Sequence, residues 1–109
     1  MVKIDDSEAL SSINQKIVQD GEILPRVKLK DGSSVQTGTV ATMLYNINLY
    51  NSGYQEEVEQ ELILAIPTLV KVGLFELFSV DEWIQGDNRG RKFVGEKAKE
   101  YLKALDKDQ

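Results

Sequence analysis

Apolar residues recur along this 109-residue chain at helical spacing in four stretches and at strand spacing in one. In the first stretch, Leu10, Ile13 and Ile17 share one face of a helix predicted over about Glu8–Gln19, with Ala9 and Val18 beside them. Asp6 or Ser7 can cap its free amides, and Gly21 suits its end. Val27 and Leu29 then alternate with Arg26, Lys28 and Lys30, the period of a half-buried strand. Asp31-Gly32 fits a two-residue turn, and Val35 and Thr37 continue the return strand. Pro25 marks a strand start or an edge. Two strands alone are marginal, so the hairpin must pack on a helix or gain another strand.

A second helix is predicted after Thr39, taken as its cap, to near Gly53. Val40, Met43, Leu44 and Ile47 form one apolar face, while Tyr45 and Leu49 lie nearly opposite. A helix with two apolar faces sits between two layers of its own core, or between that core and a partner. Glu56, Glu57, Glu59 and Glu61 open the third helix as a solvated first turn, where the helix dipole favours acids. Val58, Leu62, Ala65, Leu69 and Val72 keep one stripe through Pro67, which predicts two helical pieces joined by a kink. Leu74, Phe75, Leu77 and Phe78 close the core beyond Gly73. Ser79-Val80-Asp81-Glu82 is a capping box for a short helix that stops at Gly86. The last helix runs from about Arg91 to Leu105, with Val94, Ala98, Tyr101, Leu102 and Leu105 as its buried stripe. These elements predict one domain over residues 1–109, frayed at 1–5 and 106–109. Its class is α+β, mainly helical, with about five helices and one β-hairpin after the first helix.

Composition narrows the function. With neither cysteine nor histidine, the chain has no thiolate chemistry, no disulfide and no imidazole base or metal ligand. No pair of acids has the contrasting environments that make an acid–base couple, so the expectation leans away from an enzyme, with no catalytic residue, metal or cofactor assigned. Thirteen basic and 18 acidic residues give a net charge of −5, which disfavours nucleic acid as the main partner. The most apolar run, Leu62–Phe78, is broken by Pro67, Lys71, Gly73 and Glu76 and falls short of the roughly 20 apolar residues of a membrane span. With no signal-like start, the expected location is cytoplasmic, away from membranes.

Two features invite a functional reading. The segment Trp83–Arg91 concentrates Trp83, Asp87, Asn88, Arg89 and Arg91 around two glycines, Gly86 and Gly90, and leads into a helix. Arginine forks and helix-start amides suit an anion, and Trp83 offers a stacking surface. The competing reading makes Asp87 and Asn88 turn and cap residues and Trp83 a core filler. The second feature is the repeated asparagine of the second helix, at Asn46, Asn48 and Asn51, explained either by exposure near a fraying end or by a polar patch in a pocket or interface.

The run Ala65-Ile66-Pro67-Thr68-Leu69-Val70-Lys71-Val72-Gly73-Leu74-Phe75, followed by Gly86-Asp87-Asn88-Arg89-Gly90-Arg91-Lys92-Phe93-Val94-Gly95-Glu96, resembles small uncharacterised bacterial proteins of unknown function. That resemblance covers most of the chain and implies no activity. Arg91–Leu102 is also similar to the end of winged-helix regulators, where a wing runs into a closing helix, but the chain's one hairpin lies far upstream. The leading expectation is therefore a non-enzymatic interaction module that pairs with itself as a homodimer through Tyr45 and Leu49, or binds another protein. The alternative is a binder of a small anionic ligand at Trp83–Arg91, and the third is a winged-helix-like nucleic-acid regulator.

Overall fold

Three helices carry most of the buried apolar surface. The computed structural model describes residue 10 and residues 12–18, 26–30 and 32–107. A first helical segment, described at Leu10 and residues 12–14, tightens into a 3-10 turn at Gln15–Ile17. The predicted start at Glu8, its caps Asp6 and Ser7, and the breakers Gly21 and Pro25 lie outside the described residues. The antiparallel strands β1 (Arg26–Lys28) and β2 (Ser34–Gln36) follow, then α1 (Thr39–Asn51), α2 (Gln55–Lys71), α3 (Leu74–Leu77), α4 (Val80–Gln85) and α5 (Arg89–Lys107). This is the α+β, mainly helical fold expected, with the hairpin after the first helix.

The hairpin differs from its predicted turn. Val27 pairs with Val35, and the Leu29 amide donates to the Ser33 carbonyl at 2.7 Å, so pairing reaches Leu29 and Ser33; Asp31 of the predicted turn lies outside the described residues. Gly32 takes φ +91°, a left-handed residue that closes the hairpin with the right twist. A second left-handed glycine, Gly38 at φ +88°, joins β2 to α1 and is the cap residue that had been assigned to Thr39. Thr39 is instead the buried first residue of the helix.

Helix α2 packs against α1, and α5 packs against both. Met43 and Ile47 of α1, Val58, Leu62, Ala65, Ile66 and Leu69 of α2, and Val94 and Ala98 of α5 form one core with Leu10 and Trp83. The stripe through Pro67 holds, but α2 is one 17-residue helix and not two pieces. Pro67 sits in its last turns, partly buried, and lines an open groove between α2 and α5. Ser79 caps α4 as expected, accepting the Glu82 amide at 3.3 Å. Helix α5 begins two residues earlier than predicted and reaches Lys107. Among the described residues the element before it is a helix, not a strand, so the wing of a winged-helix domain is missing there.

Two glycines set how closely α5 approaches its neighbours. A Cβ at Gly90 would stand 2.9 Å from Ile47 Cγ2 and 3.0 Å from the Ile47 carbonyl of α1. A Cβ at Gly95 would stand 2.6 Å from Trp83 Cβ and 3.1 Å from the Val80 carbonyl of α4. Gly90, one residue before the predicted start of the last helix, is therefore a helix residue at the close contact with α1.

Gly→Ala in a helix normally gains up to about 1 kcal/mol in propensity, whereas overpacking costs about 1–3 kcal/mol. Gly90→Ala and Gly95→Ala should each lower stability, by about 1–2 kcal/mol in urea unfolding, because backbone atoms of α1 and α4 cannot yield.

Candidate functional site

The side of α1 that faces the core is largely polar. Thr39, Thr42 and Asn46 are buried beside Met43 and Ile47, and Asn14 of the first helical segment is buried against them. Asn14 Nδ2 donates to Thr39 Oγ1 and to the Thr37 carbonyl, each at 3.1 Å. The Lys16 ammonium donates to Asn46 Oδ1 and to Glu61 Oε1, each at 2.6 Å, and Asn46 Nδ2 donates to the same glutamate oxygen at 3.1 Å. Three elements are thereby tied through Asn46, which is 1% exposed. Glu61 is thus a partner in a half-buried ion pair and not one of four solvated acids. The asparagines of α1 have separate fates. Asn46 is a core residue, Asn48 is exposed, and Asn51 reaches across to α5.

Turning Asn46 and Thr42 inward turns the predicted core residues Val40 and Leu44 outward, about a quarter turn from the face that the apolar pattern favours. Leu44 is 55% exposed and Val40 41%. They join Val27, Leu29 and Val35 of the hairpin and Val72 after α2 around a groove of about 600 Å³. The opposite pair is partly occupied within the chain. The Lys16 ammonium lies 5.6 Å from the Tyr45 ring centre, and Leu49 packs against the core.

The Trp83–Arg91 segment splits into three environments. Trp83 is 6% exposed, packs edge-on against Phe75 at 5.6 Å between ring centres, and has the Arg91 guanidinium 5.1 Å from its own ring. Its indole Nε1–H is buried with no acceptor. Asn88 caps α5, its Oδ1 accepting the Arg91 amide and Asn51 Nδ2, each at 2.9 Å, while Asn51 Oδ1 accepts the Gly90 amide at 2.7 Å. The amides proposed for an anion are therefore already taken by Asn51 and Asn88. Asp87 is exposed in the loop.

Arg89 does not join Arg91. Two residues apart on one helix, the side chains diverge, and Arg89 lines a separate cleft with Tyr50, Gln55, Lys92, Phe93 and Glu96. There Tyr50 stacks on Phe93 at 5.2 Å. Burial pushes the Tyr50 phenol above its ordinary 10.0, with Glu59 and Glu96 adding to the rise and Arg89 opposing it.

A model for a domain of unknown function, DUF7709, matches residues 8–102. The chain belongs to the DUF7709 family. The match spans every element from the first helical segment to most of α5, in keeping with the resemblance to uncharacterised proteins. No curated protein and no solved structure matches this DUF7709 chain. Among its described residues no helix is long and apolar enough to cross a membrane.

The Asn46 network was missed from sequence because its members are 15 and 30 residues apart. Asparagine repeated in a helix was the available signal. Asn46→Ala should cost about 1–3 kcal/mol in urea unfolding, because a half-buried ammonium and carboxylate each lose a partner. Asn48→Ala should stay within about 0.5 kcal/mol.

The raised Tyr50 value has a sign that can be tested. Below pH about 10 the phenol is neutral folded and unfolded. Above it the unfolded chain loses the proton first, so stability falls as pH rises through the folded value. Tyr50→Phe should flatten that alkaline loss in chemical unfolding series between about pH 9 and 11.

Proposed function

We propose that this DUF7709 domain is a cytoplasmic, non-enzymatic interaction module that pairs with a second copy of itself through the groove between α1 and the hairpin. The observation that carries the proposal is the orientation of α1: its polar side packs inward through Asn46, and Val40 and Leu44 stand in solvent. Contiguous exposed apolar surface on a soluble domain is a mark of an interaction site. The groove residues Val27, Leu29, Val35, Val40, Leu44 and Val72 carry no charge. Two acidic chains can therefore meet there about a twofold axis without opposing like charges. Tyr45 borders this face one residue from Leu44, so an interface that wraps round α1 would include it, with Leu49 supporting it from the core side.

Light scattering on the purified protein should give twice the 12.3 kDa mass of one chain. Leu44→Asp should return the mass to that of one chain with an unchanged helical circular dichroism spectrum. Tyr45→Ser separates the two faces, since it weakens pairing only if the interface extends to the Lys16 side. A wild-type chain that stays monomeric at its highest soluble concentration would overturn the proposal.

A further inference from the structure

Beside the groove lies a smaller cavity of about 240 Å³, lined by Leu44, Ile47, Phe78, Trp83, Asn88 and Arg91. Two of its groups lack the partners their chemistry calls for. A buried N–H without an acceptor carries a desolvation cost, and such groups in native proteins are few and need an explanation. Trp83 Nε1 is one, on a side chain only 6% exposed. Arg91 is the other. The ion pairs among the described residues use Lys16, Lys97 and Lys99, and the Arg91 guanidinium faces the indole ring and no carboxylate.

We infer that this cavity binds a small apolar monocarboxylate, its carboxylate held by the Arg91 guanidinium and the Trp83 indole N–H and its body against Leu44, Ile47 and Phe78. The guanidinium fork matches the two oxygens of a carboxylate, which also supplies the acceptor that Nε1 lacks. Arg91 is partly buried with its guanidinium against the indole ring, and Nε1 is closed to solvent in the free chain. On this reading the carboxylate reaches Nε1 only as the side chains lining the cavity shift. Phosphate fits less well. It draws on several backbone amides at a helix start, and here the Gly90 and Arg91 amides are taken by Asn51 and Asn88. The volume falls below the roughly 300–1,000 Å³ of most ligand pockets, which limits the body to about the size of hexanoate or phenylacetate. Three apolar walls exclude a ligand that is polar throughout. Arg89, Arg91 and Lys92 give this end of an otherwise acidic chain a local positive field that draws anions in. Both donors belong to one protomer while Leu44 is shared with the groove, so titration at concentrations where the chain is monomeric separates ligand binding from self-association.

Trp83 is the sole tryptophan, so its fluorescence reports the site without ambiguity. Titration with hexanoate and with phenylacetate should give a saturable change for at least one, and the matching amide, hexanamide or phenylacetamide, should give none. Arg91→Gln should weaken binding about tenfold or more with the circular dichroism spectrum unchanged, and Arg91→Lys should weaken it less. Trp83→Phe, followed by calorimetry, keeps an aromatic wall but removes the N–H, and should also weaken binding. Responses to both acids that never saturate would overturn the inference. So would equal binding by Arg91→Gln, or inorganic phosphate binding as tightly as the acids.

Discussion

Asn46 holds α1 at a fixed rotation about its axis, and much of the rest of the molecule follows from that. Its amide accepts from the Lys16 ammonium and donates to the Glu61 carboxylate, which Lys16 also grips. A buried amide and a half-buried ion pair are costly when unpartnered, so the three groups find low energy only together. Satisfying them requires the Asn46 side of α1 to face α2 and the first helical segment. Thr39 and Thr42 go inward with it, each finding an oxygen or nitrogen partner nearby. Val40 and Leu44 are the consequence, since a helix cannot bury every side.

That rotation also prepares the contact with α5. It points Ile47 toward α5, where Gly90 offers no Cβ and the helices meet almost backbone to side chain. Asn51, one turn further along the same helix, then lies close enough to bond both Asn88 and the Gly90 amide. The start of α5 is thus capped partly by a residue 39 positions upstream. On the other side of α5, Gly95 admits Trp83 and the backbone of α4, which brings the indole beneath Arg91. The cavity beside the indole is a by-product of these two close approaches. Its wall is shared with the groove through Leu44, so the two open features of the surface adjoin on the outward side of α1.

The sequence by itself determined most of the elements and their order, though not the short helix α3 or the continuity of α2 through Pro67. Helical stripes such as Val58–Leu62–Ala65–Leu69, the capping Ser79 and the strand alternation around Val27 are local signals, fixed by repeat geometry and by the backbone groups each helix end leaves free. The absence of histidine and cysteine was equally legible, and so was the middle of the core stripes on α2 and α5. Val72, Leu77, Phe78 and Leu105, expected inside, are exposed because they lie at element ends beyond the packed layers. What only the tertiary structure decided was the rotation of α1 and the fate of the Trp83–Arg91 segment. Apolar residues surround α1, so periodicity could not choose its inner face; the choice fell to hydrogen bonds between Lys16, Asn46 and Glu61, groups far apart in sequence. In the segment, residue types suggested five converging groups, yet helical geometry from Arg89 onward sends Arg89 and Arg91 apart and assigns Asn88 to capping. Which donors remain open depends on which are already used, and that is a property of packed side chains, invisible to spacing along a chain.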